Sequence, residues 1–371
     1  MRTSDLEYVL PEGLIATEPA SPRDRARLMV VSRTDPSVLE HRTVRDLPGF
    51  LGAGDRMVFN ATRVLPARFQ GHNLDTGGHV EGLYLRDATA GVDGRPRWIA
   101  MLKARRFRAG RRVGLSDAAG ERTGVELELI ERDAAEPGAW VVAVEGGGGA
   151  SSPEILQRAG LTPLPPYILR ARKEAGAAAD EPDDRERYQT VFARADASAS
   201  VAAPTAGLHF TPELLDRIDA VGVSRAEVLL SVGPGTFRPV EAEDLAEHDM
   251  HAEWCSLAEA GPGVLDPAPG RRFAVGTTSV RTLEAFAARR ADHPGDPLPA
   301  WIETDLLIQP GHAWRAVDGL MTNFHLPRST LLALVAAMFE GGMARVREIY
   351  AEAVRERYRF FSFGDAMLIL P

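Results

Sequence analysis

Val125-Glu126-Leu127-Glu128-Leu129 alternates apolar and acidic side chains with period two, the pattern of a strand with one buried face. Working outward from it, the strand continues to Ile130. Further short strand-like runs are His79 to Leu85, Trp98 to Leu102 and Trp140 to Val144. Gly77-Gly78, Asp93-Gly94 and Ala119-Gly120 separate them as turns. Five or six short strands between about Phe69 and Val144, with no helix among them, predict a small barrel. The run Gly146 to Gly149, followed by Ala150-Ser151-Ser152-Pro153, reads as its exit linker.

On both sides of this region strand-like and helix-like segments alternate. Met57-Val58-Phe59-Asn60 reads as a buried strand, and Glu227 to Val232 as a strand ending in Gly233-Pro234-Gly235-Thr236. Thr211-Pro212-Glu213-Leu214-Leu215 opens a helix with a Thr N-cap and Pro at its first position. Phe273-Ala274-Val275 is a strand running into Gly276-Thr277-Thr278-Ser279 and a helix to about Arg290. Ser329 caps a helix expected to end at Gly341-Gly342, and Tyr358 to Asp365 reads mostly as an aromatic core strand. The polar, alanine-rich stretch Ala171 to Arg187 reads as a mobile loop. The expected fold class is an α/β main domain with an inserted small all-β barrel domain. Residues 1–68 and 151–371 would form the discontinuous α/β catalytic domain, and 69–150 the barrel.

A chain of 371 residues, 44% hydrophobic and 26% charged, has the balance of a globular protein with buried cores. Its single cysteine, Cys255, excludes an intramolecular disulfide and a thiolate metal cluster. The N-terminus lacks the apolar stretch of a secretory signal, and Leu331 to Phe339 is too short to span a bilayer. A cytoplasmic protein without membrane contact is expected, and a monomer. A net charge of −9 argues against general coating of nucleic acid. Yet Lys103, Arg105, Arg106, Arg108, Arg111 and Arg112 form a dense basic run. It reads either as a solvated surface or as a phosphate-binding patch, for which guanidinium forks are suited.

Two segments place a histidine in a proline-punctuated polar turn ahead of a helix. They are Pro204-Thr205-Ala206-Gly207-Leu208-His209-Phe210-Thr211-Pro212 and Thr322-Asn323-Phe324-His325-Leu326-Pro327-Arg328-Ser329-Thr330. Helix N-termini carry unpaired N–H groups that favour anions. Folding needs a cap and a turn at such places, not a titratable ring, although either histidine could simply fasten its loop. Gly276-Thr277-Thr278-Ser279-Val280-Arg281 offers hydroxyls, N–H groups and a guanidinium suited to a carboxylate or phosphate, with simple N-capping as the plainer reading. His248-Asp249-Met250-His251-Ala252-Glu253 suits a general base in His251 or Glu253, or a structural hydrogen bond, better than a metal. Asn60, Thr62, Arg63 and Arg68 place donors at a strand end, and Asp365 is the one C-terminal group suited to polar work. No Gly-x-x-x-x-Gly-Lys loop, Gly-x-Ser-x-Gly elbow or Cys-x-x-Cys pair occurs.

In order along the chain, these segments resemble the S-adenosylmethionine:tRNA ribosyltransferase-isomerases of queuosine synthesis. The resemblance runs from Leu14-Ile15-Ala16 and Arg27-Leu28 through Val58-Phe59-Asn60, Thr62 to Arg68 and Pro163-Leu164-Pro165-Pro166-Tyr167-Ile168. It continues through Arg187 to Val191, Val201 to Thr211, Gly235-Thr236-Phe237-Arg238-Pro239-Val240, Val275 to Leu283, Thr322 to Leu332 and Tyr358 to Leu370. It implies an α/β domain with an inserted barrel. It also implies an enzyme, a transferase and isomerase, that uses S-adenosylmethionine as a ribosyl donor. The acceptor is a 7-aminomethyl-7-deazaguanine at the wobble position of the tRNA anticodon loop, giving epoxyqueuosine-tRNA with release of adenine and methionine. No metal and no redox cofactor is implied, S-adenosylmethionine being a co-substrate.

For such chemistry a base must take a proton from the ribose carbon that the sulfonium acidifies. His209, His251 and His325 are candidates, and Glu253 could share the proton or pair with the sulfonium. Gly276, Thr277, Thr278, Ser279 and Arg281 could hold the methionine carboxylate. Thr205, Gly207, Gly235, Thr236, Asn323 and Asp365 complete the expected substrate pocket with Asn60 and Thr62, while Arg63, Arg68 and the basic run could hold tRNA. The chain departs from the family pattern at Ala61, His79, Ser231, Ala252 and Gln309, which leaves two further readings open. One is a relative that transfers ribosyl to a free small molecule, and the other is a non-catalytic module that binds tRNA or S-adenosylmethionine.

Overall fold

The computed structural model describes all residues except 104–106, 175, 177–181, 195–198, 234–239 and 251. The chain forms two compact units. One comprises Met1–Arg63, Pro166–Ala177 and Gln189–Pro371; the other comprises Val64–Pro165 and Ala178–Tyr188.

In the second unit, six antiparallel strands close on themselves: Arg68–Asn73, His79–Ala88, Arg97–Lys103, Ala139–Glu145, Arg122–Arg132 and Arg112–Ser116, the last returning to the first. Alternation decides their faces. Val125, Leu127 and Leu129 are buried, whereas Glu126 reaches Arg112 and Glu128 reaches Arg95. Trp98 fills the interior against Phe69 and Tyr84, and its indole N–H donates to Ser152 Oγ at 2.7 Å. Closure requires glycine at Gly71, where a Cβ would collide with the Gly114 carbonyl.

Two features of this unit differ from the sequence reading. The strand Arg112–Ser116 lies where only a basic run was legible, because arginines at its start mask the apolar Val113 and Leu115 that it buries. The Gly146–Gly149 run does not leave the unit. It is a turn into a helix, Ser152–Ala159, with a Ser151–Glu154 capping box.

The first unit is built on a nine-stranded mixed sheet. Its order is Ile302–Thr304, Glu253–Ser256, Ser224–Leu230, Arg56–Asn60, Arg272–Val275, Gly319–Asn323, Ala366–Leu370, Arg27–Ser32, Leu39–Thr43. The four strands from Ser224–Leu230 to Gly319–Asn323 run parallel. Successive residues of the sheet's inner strands enter two separate cores: Met29, Val31, Val58 and Ala274 on one face, Leu28, Val30, Met57 and Phe273 on the other. Burial on both faces explains why they read as continuous apolar runs rather than alternating ones.

Local signals hold at several helix starts. Thr211 Oγ1 accepts from Leu214 N at 3.2 Å and Ser329 Oγ from Leu332 N at 3.2 Å. Other expectations need correction. Ala171 to Arg187 is not simply a loop: it begins inside the helix Pro166–Glu174 and ends in the short helix Asp184–Arg187. Burial of Ile168 and Arg172 outweighs its polar composition. The helix capped by Ser329 stops at Ala337, and a second helix starts at Gly342. The aromatic segment Tyr358 to Asp365 is core but precedes the strand Ala366–Leu370. Phe361 interrupts it with φ 73°, in the left-handed region.

Candidate active site

Three parallel strands carry the chain to one cavity in the first unit, at the carboxyl ends where open α/β sheets bind ligands. Arg272–Val275 delivers Gly276, Thr277 and Thr278; Gly319–Asn323 delivers Thr322, Asn323 and His325; Ser224–Leu230 delivers Val232. The Pro204–Ala206 turn and the Tyr167, Phe361 and Ser362 side complete the wall. The atom-free space, its open mouth and the solvent in it included, is about 870 Å³.

The wall is held by bonds between distant segments. Thr205 Oγ1 donates to Asn323 Oδ1 at 3.0 Å, and Asn323 Nδ2 donates to Phe361 O at 3.0 Å. The Phe361 N–H donates to Phe324 O at 3.1 Å and Gly364 N to Phe361 O at 2.9 Å. These contacts keep a bulky residue at positive φ, a strained conformation of the kind found where a ligand wall is over-determined. Tyr167 bonds Ser362 through its hydroxyl, accepts from Ser362 N at 3.0 Å, and packs 4.7 Å from the Phe361 ring. Burial pushes its hydroxyl up to about 12, so it remains a neutral donor near neutral pH.

The two histidine turns differ. His325 lines the cavity; its Nε2 lies 2.9 Å from Thr322 Oγ1, and its backbone is gripped on both sides. His325 N donates to Tyr350 Oη at 3.0 Å, and Tyr8 Oη donates to His325 O at 2.5 Å. Burial pushes its imidazole down to about 3, which keeps the ring neutral. His209 lies outside the lining, with Nδ1 3.1 Å from Ala206 O and Nε2 3.0 Å from Gly364 O. Two carbonyl acceptors favour the imidazolium, but burial dominates and lowers its pKa. His209 therefore ties two backbone segments together.

Glu253 and Arg281 form a buried ion pair. Arg281 also donates from Nη2 to Thr304 O and from Nε to Leu306 O, each at 3.2 Å, and Glu253 Oε1 accepts from Gly233 N at 3.2 Å. Neither side chain lines the cavity. Ser279 is similarly withdrawn, donating to Val275 O at 2.8 Å. Asn60 locks its strand to the next, donating to Leu230 O at 3.1 Å and accepting from Leu230 N and Thr62 N at 3.2 Å. Thr62 is buried beside it. Asp365 accepts from Arg27 N at 3.0 Å and Arg359 N at 2.8 Å and pairs with Arg359. Gly207 is needed for packing, since a Cβ would sit 2.7 Å from Phe192 Cζ.

Arg63 is half-buried at the boundary of the first unit, and Arg68 lies on a barrel strand. Lys103 and Arg108 are exposed, Lys103 lying 3.9 Å from Glu81; Arg111 pairs with Asp75, and Arg112 with Glu126 at 2.7 Å and Glu145 at 2.6 Å. Acids from a turn and from neighbouring strands thus offset a run that contains none in the linear sequence. Gly235, Thr236, His251, Arg105 and Arg106 lie outside the described residues. Tyr167, Thr322, Phe361 and Ser362 were not singled out as site residues. All four stand inside the quoted segments, Tyr167, Phe361 and Ser362 among apolar neighbours that read as core.

The profile of the queuosine biosynthesis protein family matches residues 3–369. The chain belongs to this family. Among relatives named S-adenosylmethionine:tRNA ribosyltransferase-isomerase, that of Symbiobacterium thermophilum is 46% identical over 100% of both chains. That of Anaeromyxobacter dehalogenans is 47% identical over 100% of this chain and 99% of the relative. A crystal structure of the S-adenosylmethionine tRNA ribosyltransferase of Thermotoga maritima is 30% identical, covering 99% of this chain and 100% of that one, with a TM-score of 0.47. Against the family pattern, Ala61 is buried and donates its N–H to Val228 O at 2.9 Å, while Ser231 N donates to Trp254 O at 3.0 Å. His79 is exposed on the barrel, and neither it nor Ala61, Ser231 or Gln309 lines the cavity.

Proposed function

We infer that the chain is an S-adenosylmethionine:tRNA ribosyltransferase-isomerase. It moves and rearranges the ribosyl moiety of S-adenosylmethionine onto 7-aminomethyl-7-deazaguanine at the wobble position of the anticodon loop. Epoxyqueuosine-tRNA forms, and adenine and methionine leave. The observation that carries this reading is the 46–47% identity to enzymes of that name across the full length of the chain. The cavity at the strand ends supports it with hydroxyl, amide and imidazole groups and an aromatic wall.

The sulfonium acidifies the ribose 5′ carbon, and His325 is the cavity histidine among the described residues that can take its proton. A neutral acceptor is present at any pH above about 3. Such a ring is a weak base, so the driving force has to come from the acidity the sulfonium confers. Thr322 fixes the ring through Nε2. S-adenosylmethionine is a co-substrate, and the reading requires no metal or redox group. Exposed Lys103 and Arg108 on the barrel contact tRNA phosphates. The protein acts as a cytoplasmic monomer; no described helix is long and apolar enough to cross a membrane.

The test mixes the protein and S-adenosylmethionine with either an anticodon stem-loop bearing the aminomethyl-deazaguanine or the free base, and follows adenine by mass spectrometry. Adenine released only with the stem-loop is the expected result. Release only with the free base would replace tRNA by a small-molecule acceptor, and saturable binding without adenine would leave a binding module.

A further inference from the structure

The helix Thr277–Asp292 begins inside the cavity without a side-chain cap. Gly276, at its N-cap position, has φ +84°, a conformation that suits glycine. The first N–H groups of any helix lack carbonyl partners within it, and the helix dipole places partial positive charge there. A second observation is independent of the helix. Thr278 lines the cavity, is 8% exposed, and its Oγ1 is buried with no hydrogen-bond partner among the described residues. That hydroxyl turns back toward the N-cap, since a Cβ placed on Gly276 would lie 3.7 Å from it. A buried hydroxyl is rarely left unpaired unless something absent from the protein pairs with it.

The neighbouring groups narrow the ligand. Arg281, four residues from Thr277, is committed to Glu253, Thr304 O and Leu306 O. Ser279 donates its hydroxyl to Val275 O. Among the described residues the lining contains no arginine, lysine or carboxylate. A site built from neutral donors and a helix end suits one negative charge with two acceptor oxygens. It does not suit a dianion, which would call for guanidinium or ammonium groups.

Building on the functional reading above, we propose that the Thr277–Asp292 helix N-terminus and Thr278 Oγ1 bind the α-carboxylate of the methionyl part of S-adenosylmethionine. The hydroxyl donates to one carboxylate oxygen and the terminal N–H groups serve the other. Arg281 takes no part; with Glu253 it holds the ends of adjacent strands. The helix end thereby fixes one end of the co-substrate, and His325 stands on the neighbouring strand exit.

The test is calorimetric titration of wild-type protein and Thr278→Val with S-adenosylmethionine and with its decarboxylated analogue. Valine keeps the shape and removes an unpaired hydroxyl, so the melting temperature of the unliganded variant should hold or rise. In the wild type the analogue should bind more weakly than S-adenosylmethionine. In Thr278→Val, S-adenosylmethionine affinity should fall about tenfold, as for loss of one hydrogen bond to a charged group, with affinity for the analogue unchanged. Equal wild-type affinities for the two compounds, or a variant that weakens both alike or neither, would overturn the subsite. So would a loss confined to binding of the anticodon stem-loop, which would assign the anion to a phosphate. A wild-type protein that binds neither compound would overturn the functional reading with it.

Discussion

The turns around His209 and His325 share a local grammar: an imidazole after a polar, proline-marked segment and just before a helix capped by Thr211 or Ser329. Their surroundings give them opposite tasks. His209 sits between two backbone carbonyls, Ala206 O and Gly364 O, and joins segments 155 residues apart. His325 has one ring nitrogen on Thr322 Oγ1 and lines the cavity. A histidine in a suggestive motif becomes chemical only when tertiary packing leaves part of its ring to a ligand. Packing that occupies both nitrogens makes it a strut.

The sharpest way to break this contrast is at His325. His325→Gln keeps a polar side chain near Thr322, and should lower adenine release about a hundredfold or more, the scale of a lost general base. The native fold should survive, as read by circular dichroism. Near-wild-type turnover in this variant would remove His325 from proton transfer. His209→Leu tests the other half. It removes the ring N–H that bonds the Ala206 or Gly364 carbonyl, and should cost about 1–3 kcal/mol of stability in urea unfolding, with kcat close to wild type. A folded but inactive His209→Leu protein would abolish the distinction.

The smallest effect is the pH dependence the two rings share. Burial lowers both imidazole pKa values, that of His325 to about 3. The unfolded chain therefore binds protons, from about pH 6.5 downward, that the native state refuses. Stability contributed by the neutral rings is fully present above that pH and is lost as pH falls toward the folded values. Each histidine adds at most about 1.4 kcal/mol per pH unit within the window. Urea midpoints at pH 7.5, 6 and 5 should fall less steeply for His325→Gln than for the wild type. Identical slopes would show that His325 does not stay neutral in the folded protein.

The barrel and the strand–helix alternation were legible because their signals are local. Val125 to Leu129 alternates as a strand with one wet face must, and Thr211-Pro212 and Ser329 announce helix starts by satisfying the first free N–H groups. The helix Pro166–Glu174 was hidden because its polar, alanine-rich continuation resembles a loop, and the buried face that stabilises it is supplied by other segments. The strand Arg112–Ser116 was hidden because Arg112 and the basic run before it mask Val113 and Leu115, and the acids that offset Arg112, Glu126 and Glu145, come from other strands.

For the site, the sequence by itself determined which segments carry donors and imidazoles: Thr205, Gly276 to Thr278, and Thr322 to His325 all came to one cavity. It also determined family membership, since residue order along nearly the whole chain is what the match reads. Only the tertiary structure decided which of those groups are already used. Arg281, Glu253, Asp365, Asn60 and His209 are satisfied by partners up to 338 residues away, whereas Thr278 keeps a hydroxyl with no partner among the described residues. The reason is physical: a buried polar group must find a partner, and the identity of that partner depends on the packing of distant chain, which no local pattern records.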